Sequence, residues 1–247
     1  MLRIVESNPF IPIRWMKEHE GMQGYEYFDE VKDNELIQRM KTEWLSARDY
    51  NIARAKNLHD FGLTKQIINR LLEPWLWHTV IATGSEWENF FSLRAEKNAE
   101  IHIQDLAYKM LNVYNESTPK SLKPMEWHIP FGDTFNDSSL KAIHNTEVDV
   151  ESPNYWTAYE LLKVKIATAR CARVSYLNFD GSDNYSADVK LHDRLAKAGH
   201  MSPFEHCAIS MNSEDWFGNF KGFRQYRKRF PNENRKDNRV FIKKYEI

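Results

Sequence analysis

Two arginines among apolar residues are the first side chains of this sequence with the chemistry to hold an anion. Arg70 and Arg94 both lie in stretches whose apolar residues recur at helical spacing. A guanidinium carries a fixed fork of donors that can bind a phosphate or the edge of a base at two points. The same side chain commonly extends to the surface or pairs with a carboxylate. On residue type alone the second interpretation is the simpler one.

A second candidate is the turn that runs from Gly199 to His206. Gly199 is suited to end a helix predicted over residues 186–198. Ser202 and Glu205 then have the positions of an N-cap and an N3 residue in a new helix. The backbone N–H groups at such a start would suit a phosphate, although any ordinary helix start has the same residues.

Standard catalytic motifs are missing from the sequence. It contains no phosphate-binding loop ending in GK[ST], no GxGxxG, no GxSxG, no HExxH and no paired CxxC. The nine histidines show no spacing typical of metal ligands, so no metal site is predicted. Cys171 and Cys207 fall in predicted strands and are interpreted as small packed residues.

The positive charge of the chain is concentrated at its end. The formal net charge is −1, but residues 221–247 carry ten Lys or Arg and three Asp or Glu, a balance of +7. Such a segment suits an anionic partner, for example a nucleotide, a nucleic acid or an acidic surface of another subunit. A solvated tail of the same composition is an equal alternative.

Helices predicted from the apolar spacing must position these residues. Residues 1–32 are predicted to be irregular, and Asp33 or Asn34 is placed to start a long helix that ends near Gly62. A second helix is expected to begin near Thr64 and to end or kink at Pro74 because proline breaks the helical hydrogen-bond pattern.

A third helix is predicted to carry Arg94. Ser85 and Glu88 have the spacing of a capping box, and helical spacing continues from there to Leu111. Asn89 and Arg94 would then lie about 140° apart around one helix.

The remaining sequence completes a mixed fold. Residues 115–155 are rich in Pro, Ser, Asn and Asp and are interpreted as a long connecting loop. Residues 172–176 and 205–211 are predicted as strands. We expect a single α/β domain of the α+β kind, with a small, mostly antiparallel sheet flanked by helices. It would comprise a helical half (1–114), the loop and a strand–helix–strand half (156–247).

The gross composition indicates a cytoplasmic protein with no membrane partner. The sequence has no apolar run of about 18 residues, which a membrane span would need. Its N-terminus lacks the apolar core of a signal peptide, and two cysteines are too few for a disulfide framework.

Taken together, the clusters resemble the motifs of the flavin-dependent thymidylate synthases. The resemblance lies in Ala172-Arg173-Val174-Ser175-Tyr176, Gly199-His200-Met201-Ser202-Pro203-Phe204-Glu205-His206 and Asn89-Phe90-Phe91-Ser92-Leu93-Arg94, with Ala99 shortly after. The segment that comes late in the family comes first here, so the chain resembles a circularly permuted branch found in phages and some bacteria. Further likeness to that branch lies in Pro9-Phe10-Ile11-Pro12-Ile13, Gly21-Met22-Gln23, Asn69-Arg70-Leu71-Leu72-Glu73-Pro74 and residues 218–228.

The resemblance implies a role for each matching residue. Arg94, and with it Arg70, would bind the substrate dUMP. Asn89 would contact the flavin. The FAD site would also include His200, Ser202 and Glu205, with Ser202 in place of a threonine often found in the family.

The resemblance also implies the chemistry. The family converts dUMP to dTMP, taking one carbon from 5,10-methylenetetrahydrofolate and a hydride from FAD that NADPH has reduced. No cysteine attacks the pyrimidine in this family. Its active sites lie between subunits of a homotetramer, so we expect a homo-oligomer. No nucleic-acid partner belongs to this leading hypothesis.

One family signature has no counterpart in the sequence. This signature is an arginine- and histidine-rich segment followed by spaced Ser, Asn, Ser and Arg, and in the permuted branch it precedes the residues seen here. Residues 223–229 resemble its start, but Pro231 and Asn232 stand where serine is expected. Three hypotheses follow: a second polypeptide supplies the segment, a longer natural protein contains it, or the chain binds nucleotide without turnover.

Two other functions stay open at this stage. The missing signature and the basic end of the chain also fit a non-catalytic subunit that binds nucleotide or nucleic acid. A related enzyme that modifies a different pyrimidine monophosphate is the other alternative, because the residues that read the base would lie in the missing segment.

Overall fold

The computed structural model describes residues 2–21, 24, 26–147, 149–174 and 184–233. Its α-helices are α1 (Leu2–Ser7), α2 (Asn34–Asp60), α3 (Lys65–Ile68), α4 (Glu88–Arg94), α5 (Ile101–Glu116), α6 (Asp137–Glu147), α7 (Tyr155–Arg173) and α8 (Tyr185–Ala198). Its strands are β1 (Trp127–His128), β2 (Ala208–Ser210), β3 (Trp216–Phe217), β4 (Phe220–Lys221) and β5 (Phe223–Gln225). Short 3-10 turns occupy Asn69–Leu71, Glu73–Trp75, Gly132–Thr134, Ser202–Glu205 and Tyr226–Arg229.

The chain divides into two compact units that alternate along the sequence. The first unit comprises Met1–His78 and Trp87–Thr118, and the second comprises Thr79–Glu86 and Pro119–Ile247. Helices α1 to α5 belong to the first unit, and the two sheets belong to the second. The boundary after Thr118 lies close to residue 114, the predicted end of the helical half.

A hydrophobic core holds the helices of the first unit together. Ile52 and Ala55 lie three residues apart on one face of α2 and form a buried cluster with Val5, Leu72 and Trp75. Burying a valine, leucine or isoleucine side chain contributes about 1.5–3 kcal/mol to the stability of the fold. The burial of Val5 also explains why residues 2–7 form a helix, where an irregular segment was predicted.

The ends predicted for α2 are confirmed. Asp33 is its N-cap residue, but the Asp33 carboxylate accepts the N–H of Asp29 at 2.9 Å instead of bonding to the helix. At the other end Gly62 has a φ of 81° and donates its N–H to the carbonyl of His59 at 2.9 Å. A glycine adopts this left-handed backbone without a steric penalty, so it ends the helix.

The helix predicted near Thr64 is shorter than its apolar spacing indicated. It starts at Lys65 and ends at Ile68, and two 3-10 turns carry the chain on to Trp75. Pro74 has no N–H to donate, and the tighter turns accommodate it.

Helix α7 is the centre of the second unit. Side chains all around it are buried, among them Leu162, Val164, Ile166 and Cys171. Every side chain from residue 166 to residue 171 is buried, so this part of the helix lies inside the protein, and α7 accordingly packs against α6 and α8. Residues 172–173 end this helix, so the strand predicted over residues 172–176 is wrong there, while residues 175–176 lie outside the described residues.

A small antiparallel sheet in the second unit confirms the expected mixed fold. Its strand order is β1–β2–β5, with Trp127 opposite Ile209 and Ile209 opposite Arg224. Strand β2 covers only part of the strand predicted over 205–211 and is buried on both faces. Strands β3 and β4 form a separate hairpin whose turn contains Gly218 at a φ of 76°.

The long loop predicted over residues 115–155 is wrong. This stretch contains β1, a 3-10 turn and helix α6. The polar residues that suggested a loop serve α6: the side-chain oxygen of Asn136 accepts the N–H of Ser139 at 2.9 Å and the hydroxyl of Ser138 at 2.7 Å. Asparagine favours this position before a helix as much as it favours loops.

Candidate functional site

The turn from Gly199 to His206, which we name the 199–206 corner, links α8 to strand β2. Gly199 has a φ of 71° and donates its N–H to the carbonyl of Ala196 at 3.1 Å. The N–H of His200 donates to the carbonyl of Leu195 at 3.0 Å. The helix end predicted at Gly199 is therefore confirmed, and it directs the chain sharply away from α8.

Ser202 is not the N-cap residue that the sequence predicted. Met201 is the N-cap of the 3-10 turn, and Ser202 is the first residue of the turn and makes no capping hydrogen bond. Met201 and Phe204 are both buried, and the N–H of Phe204 donates to the carbonyl of Met201 at 3.0 Å. Burial of these two side chains sets the start of the turn one residue earlier than the polar pattern indicated.

The polar side chains of the corner differ in their availability. His200 and Ser202 are exposed, and neither side chain bonds to any residue that the structure describes. The carboxylate of Glu205 forms an ion pair with Arg227, whose guanidinium also contacts Glu233 at 3.2 Å. His200 and Ser202 can therefore meet a ligand directly, whereas Glu205 is already neutralised.

His206 has a partner that sequence reasoning missed. Its Nδ1 lies 3.0 Å from the hydroxyl of Thr83. Burial lowers the pKa of His206, although the neighbouring carboxylate of Glu205 opposes this shift. His206 is thus a neutral imidazole at pH 7. No spacing signal could have paired Thr83 with His206, because the two are far apart in the sequence.

A small apolar cavity of about 110 Å³ lies beside this pair. Its wall includes Thr83, His128, Phe220 and Phe223. The hydroxyl of Ser85, another lining residue, accepts the N–H of Lys221 at 2.7 Å. This bond replaces the capping box predicted for Ser85 and Glu88, which is wrong because the helix begins at Glu88 with Trp87 as its N-cap.

Asn89 and Arg94 share helix α4, as predicted. Both are exposed, and the side chain of Asn89 bonds to no described residue. A guanidinium nitrogen of Arg94 donates to the carbonyl of Leu93 at 3.4 Å, and Arg94 has no ion pair among the described residues. An exposed cation of this kind is available to an anionic ligand.

Arg70 is less available than Arg94. Its guanidinium lies 3.2 Å from the carboxylate of Glu73, and its side chain is 75% exposed. This is the surface ion pair that the simpler interpretation of Arg70 predicts. Its role toward a nucleotide stays a prediction.

The predicted site residues form two groups in the structure. Arg70, Asn89 and Arg94 belong to the first unit. His200, Ser202 and Glu205 belong to the second unit, where the 199–206 corner brings them together.

Arg173 belongs to another cluster that carries the family resemblance, and its side chain forms an ion pair with Asp188. Its guanidinium lies 2.8 Å from the carboxylate of Asp188, and Arg170 contacts the same carboxylate at 3.5 Å. Arg170 and Asp188 are 2% and 3% exposed. Burial raises the pKa of Asp188, and the two arginines oppose the shift. This buried group joins α7 to α8.

Both cysteines are buried free thiols in the folded protein. Cys171 lies on α7 and not on a strand, and Cys207 directly precedes β2; both are buried. Burial raises the pKa of both thiols, that of Cys207 to about 12. Neither is a thiolate at pH 7, and a nucleophile has to be one.

The described residues include neither a candidate metal site nor a candidate membrane-spanning helix. They contain no group of three or more His, Cys, Asp or Glu side chains that could hold a metal ion. In the same part of the chain, no helix combines the length and the apolar character needed to cross a bilayer.

Comparison with known proteins identifies no relative of this chain. No protein-family model, curated protein or solved structure matches it. Its function therefore has to be argued from its own residues.

Proposed function

We propose that this chain is a flavin-dependent thymidylate synthase, or the larger part of one, that methylates dUMP. The observation that carries the proposal is the 199–206 corner. It resembles a flavin-binding motif of that family, and it presents His200 and Ser202 to solvent with side chains that bond to no described residue.

The corner suits an anionic cofactor such as FAD. The imidazole of His200 and the hydroxyl of Ser202 are donors for phosphate oxygens or for the polar edge of a flavin. The backbone around them is held by the bonds that end α8 and by the burial of Phe204. Such rigid support is what a binding residue needs to keep its geometry. The Glu205–Arg227 ion pair holds the far end of the corner.

Arg94 is the proposed partner of the dUMP phosphate or base. A charged donor with no competing carboxylate loses little when it binds an anion. Arg70 is the second proposed contact, and it would have to exchange Glu73 for the nucleotide.

In the proposed reaction these side chains bind and orient the reactants. FAD, reduced by NADPH, supplies the hydride when it is bound, and 5,10-methylenetetrahydrofolate supplies the carbon. Arg94 would stabilise negative charge that develops on the pyrimidine, Asn89 would contact the flavin, and His200 and Ser202 would hold FAD. Exposed apolar side chains on α4 and α5, namely Leu93, Leu106 and Val113, support assembly into an oligomer.

The first test is retention of flavin. The purified chain is incubated with FAD, free cofactor is removed, and the visible absorbance of the protein is recorded. We expect flavin bands, and we expect a His200→Ala, Ser202→Ala double variant to retain much less. An exposed serine elsewhere in the second unit, Ser186→Ala, serves as the matched control. A colourless wild-type protein would contradict the proposed flavin site in this chain.

The second test is catalysis. Tritium release from dUMP labelled at C5 is measured with FAD, NADPH and the folate present, with and without an added polypeptide that carries the family signature. Tritium release only in the presence of the added polypeptide would support an enzyme whose signature segment lies on a second chain or in a longer protein. No release in either case would support the alternative below.

The alternative is a non-catalytic subunit that binds a nucleotide or a nucleic acid. The observation that favours it is the basic segment from β5 onward, where Arg224 and Arg229 are exposed and Lys228 is half-buried. Binding of a fluorescent single-stranded oligonucleotide should then weaken steeply as salt increases. Salt-independent or absent binding would remove this alternative.

A further inference from the structure

A hollow in the first unit has the features of a ligand site and shares no residue with the site proposed above. We name it the Trp15 hollow; its volume is about 460 Å³. Ligand pockets commonly enclose about 300–1,000 Å³, so it is large enough for a ring with a charged substituent. One side is formed by residues 11–15 and Phe28, and the other by the start of α2.

Helical spacing explains the wall formed by α2. Asn34, Ile37, Gln38 and Lys41 follow each other at intervals of three and four residues, so they share one face of the helix. Ile37 is buried, and the three polar residues surround it. This face presents amide and ammonium donors above an apolar floor.

The opposite wall is held by backbone hydrogen bonds. The N–H of Phe28 donates to the carbonyl of Trp15 at 2.9 Å, and the N–H of Lys17 donates to the carbonyl of Glu26 at 2.9 Å. Met16 and Tyr27 form an antiparallel bridge between these bonds. The aromatic rings of Trp15 and Phe28 therefore stand on paired backbone and not on a free loop.

The indole N–H of Trp15 has no acceptor among the residues that the structure describes. Trp44, Trp75 and Trp77 each donate their indole N–H to a backbone carbonyl, at 3.0, 3.2 and 3.1 Å. The Nε1 of Trp15 is shielded from solvent and has no hydrogen-bond partner among the described residues. An unmet buried donor destabilises the folded state, so a small shift of the ring toward an acceptor would be favourable.

The charges around the hollow favour an anion. Lys41 is half-buried and has no ion pair in the described part of the chain. Arg14 lines the opposite wall, with its guanidinium carbon 4.1 Å from the centre of the Tyr27 ring. Glu30 is the one carboxylate among the described lining residues, so cations outnumber anions there. An unpaired, partly desolvated ammonium gains more from a ligand anion than an exposed one does.

We propose that the Trp15 hollow binds a flat ring that carries an anionic oxygen group. The ring would lie against Trp15, Phe28 and Ile37. The anionic group would meet the ammonium of Lys41 and the amide of Gln38. A carboxylate and a phosphate share this chemistry, and the experiment distinguishes them.

The test follows the indole resonances of the full chain labelled with ¹⁵N-tryptophan. The signal of Trp15 is identified as the one lost in a Trp15→Phe variant. The probes are 4-aminobenzoyl-glutamate, which carries carboxylates, and dUMP, which carries a phosphate. We expect at least one probe to move the Trp15 signal to saturation while the signals of Trp44, Trp75 and Trp77 stay in place. The probe that does so identifies the anionic group.

A lysine substitution decides whether the hollow is the site. Lys41→Met should weaken the binding that moves the Trp15 signal by roughly tenfold, because it removes a charge-assisted hydrogen bond. Lys65→Met is the matched control, because Lys65 is exposed in the same unit and has no partner among the described residues. The proposal is overturned if neither probe moves the Trp15 signal, or if Lys41→Met and Lys65→Met bind equally well.

The same experiment separates this proposal from the proposed enzyme function. dUMP that binds only at Arg94 would leave the Trp15 signal unchanged, and its affinity would be lost in Arg94→Met and kept in Lys41→Met. dUMP that binds in the Trp15 hollow would instead lose affinity in Lys41→Met and keep it in Arg94→Met. Failure of either site therefore leaves the result for the other intact.

Discussion

Glu205 and Arg227 form an ion pair between the 199–206 corner and the turn that follows strand β5. Arg227 also contacts Glu233, so one guanidinium bridges two carboxylates. The side-chain amide of Gln225 adds a hydrogen bond to the carbonyl of Glu205 at 3.3 Å. Segments that are separated in sequence thus fix the end of the corner.

Replacing the arginine of this pair should loosen the corner. We expect Arg227→Gln to lower the free energy of unfolding by about 1 kcal/mol, because both side chains are partly exposed and solvent screens the pair. Urea titration measures this loss. Lys190→Gln, an exposed lysine on α8 with no ion pair in the described residues, is the control and should change little. Equal stability of the two variants would contradict a structural role for the pair.

Removing the shared carboxylate of the buried arginine group should be much more damaging. Asp188→Asn leaves Arg170 and Arg173 without this counter-charge, and we expect a loss of about 3 kcal/mol or more. Thermal and urea unfolding measure it. Asp105→Asn is the control, since Asp105 forms an exposed pair with Lys109. A loss below about 1 kcal/mol would mean that the group contributes little.

A buried histidine should make the protein less stable in acid. The Nδ1 of His192 lies 2.7 Å from a carboxylate oxygen of Asp193, and its Nε2 lies 3.2 Å from the hydroxyl of Tyr226. Burial lowers the pKa of His192 below its ordinary value of 6.5, so the folded state favours the neutral ring. The stability that follows is fully present above pH 6.5 and is lost as the pH falls toward the folded-state pKa.

Unfolding measured in urea from about pH 7.5 to about pH 5.5 tests this effect. The wild-type protein should lose stability across that range, and His192→Gln should lose less. His128 and His206 shift in the same direction, so part of the decline should remain. His59→Gln, an exposed histidine, should keep the wild-type slope. A His192→Gln slope equal to that of the wild type would count against the prediction.

The thiols should react only after unfolding. A disulfide reagent that reports free thiolates should find neither Cys171 nor Cys207 in the native protein at pH 7, because both are buried and protonated. In denaturant it should find both. Rapid reaction of one thiol in the native protein would show that its surroundings open readily.

The sequence predicted best where local signals agree with packing. The bounds of α2 and α8 follow from capping residues and apolar spacing, and Gly199 and Gly62 end their helices as predicted. A small antiparallel sheet was expected, but its register was not predicted. Trp127 pairs with Ile209 through contacts that no local pattern encodes.

Prediction failed where one pattern supports two structures. Residues 172–173 begin a segment that is compatible with a strand in isolation, and only the packing of α7 makes them the end of a helix. Ser85 has the spacing of a cap but bonds to Lys221 instead. At the candidate site, the residue types of His200 and Ser202 suggested binding, whereas the bond between Thr83 and His206 depends on tertiary structure alone.

The two units alternate along the sequence, and this limits how the protein could be divided into separate fragments or genes. Thr79–Glu86 belongs to the second unit although the residues before and after it belong to the first. The backbone therefore passes between the units three times, and no single cut separates them. A gene fragment ending at Thr118 would carry away Thr83 and Ser85, whose partners His206 and Lys221 would remain on the other piece. Because the units alternate along the sequence, neither could be exchanged between genes by fusion at a single boundary.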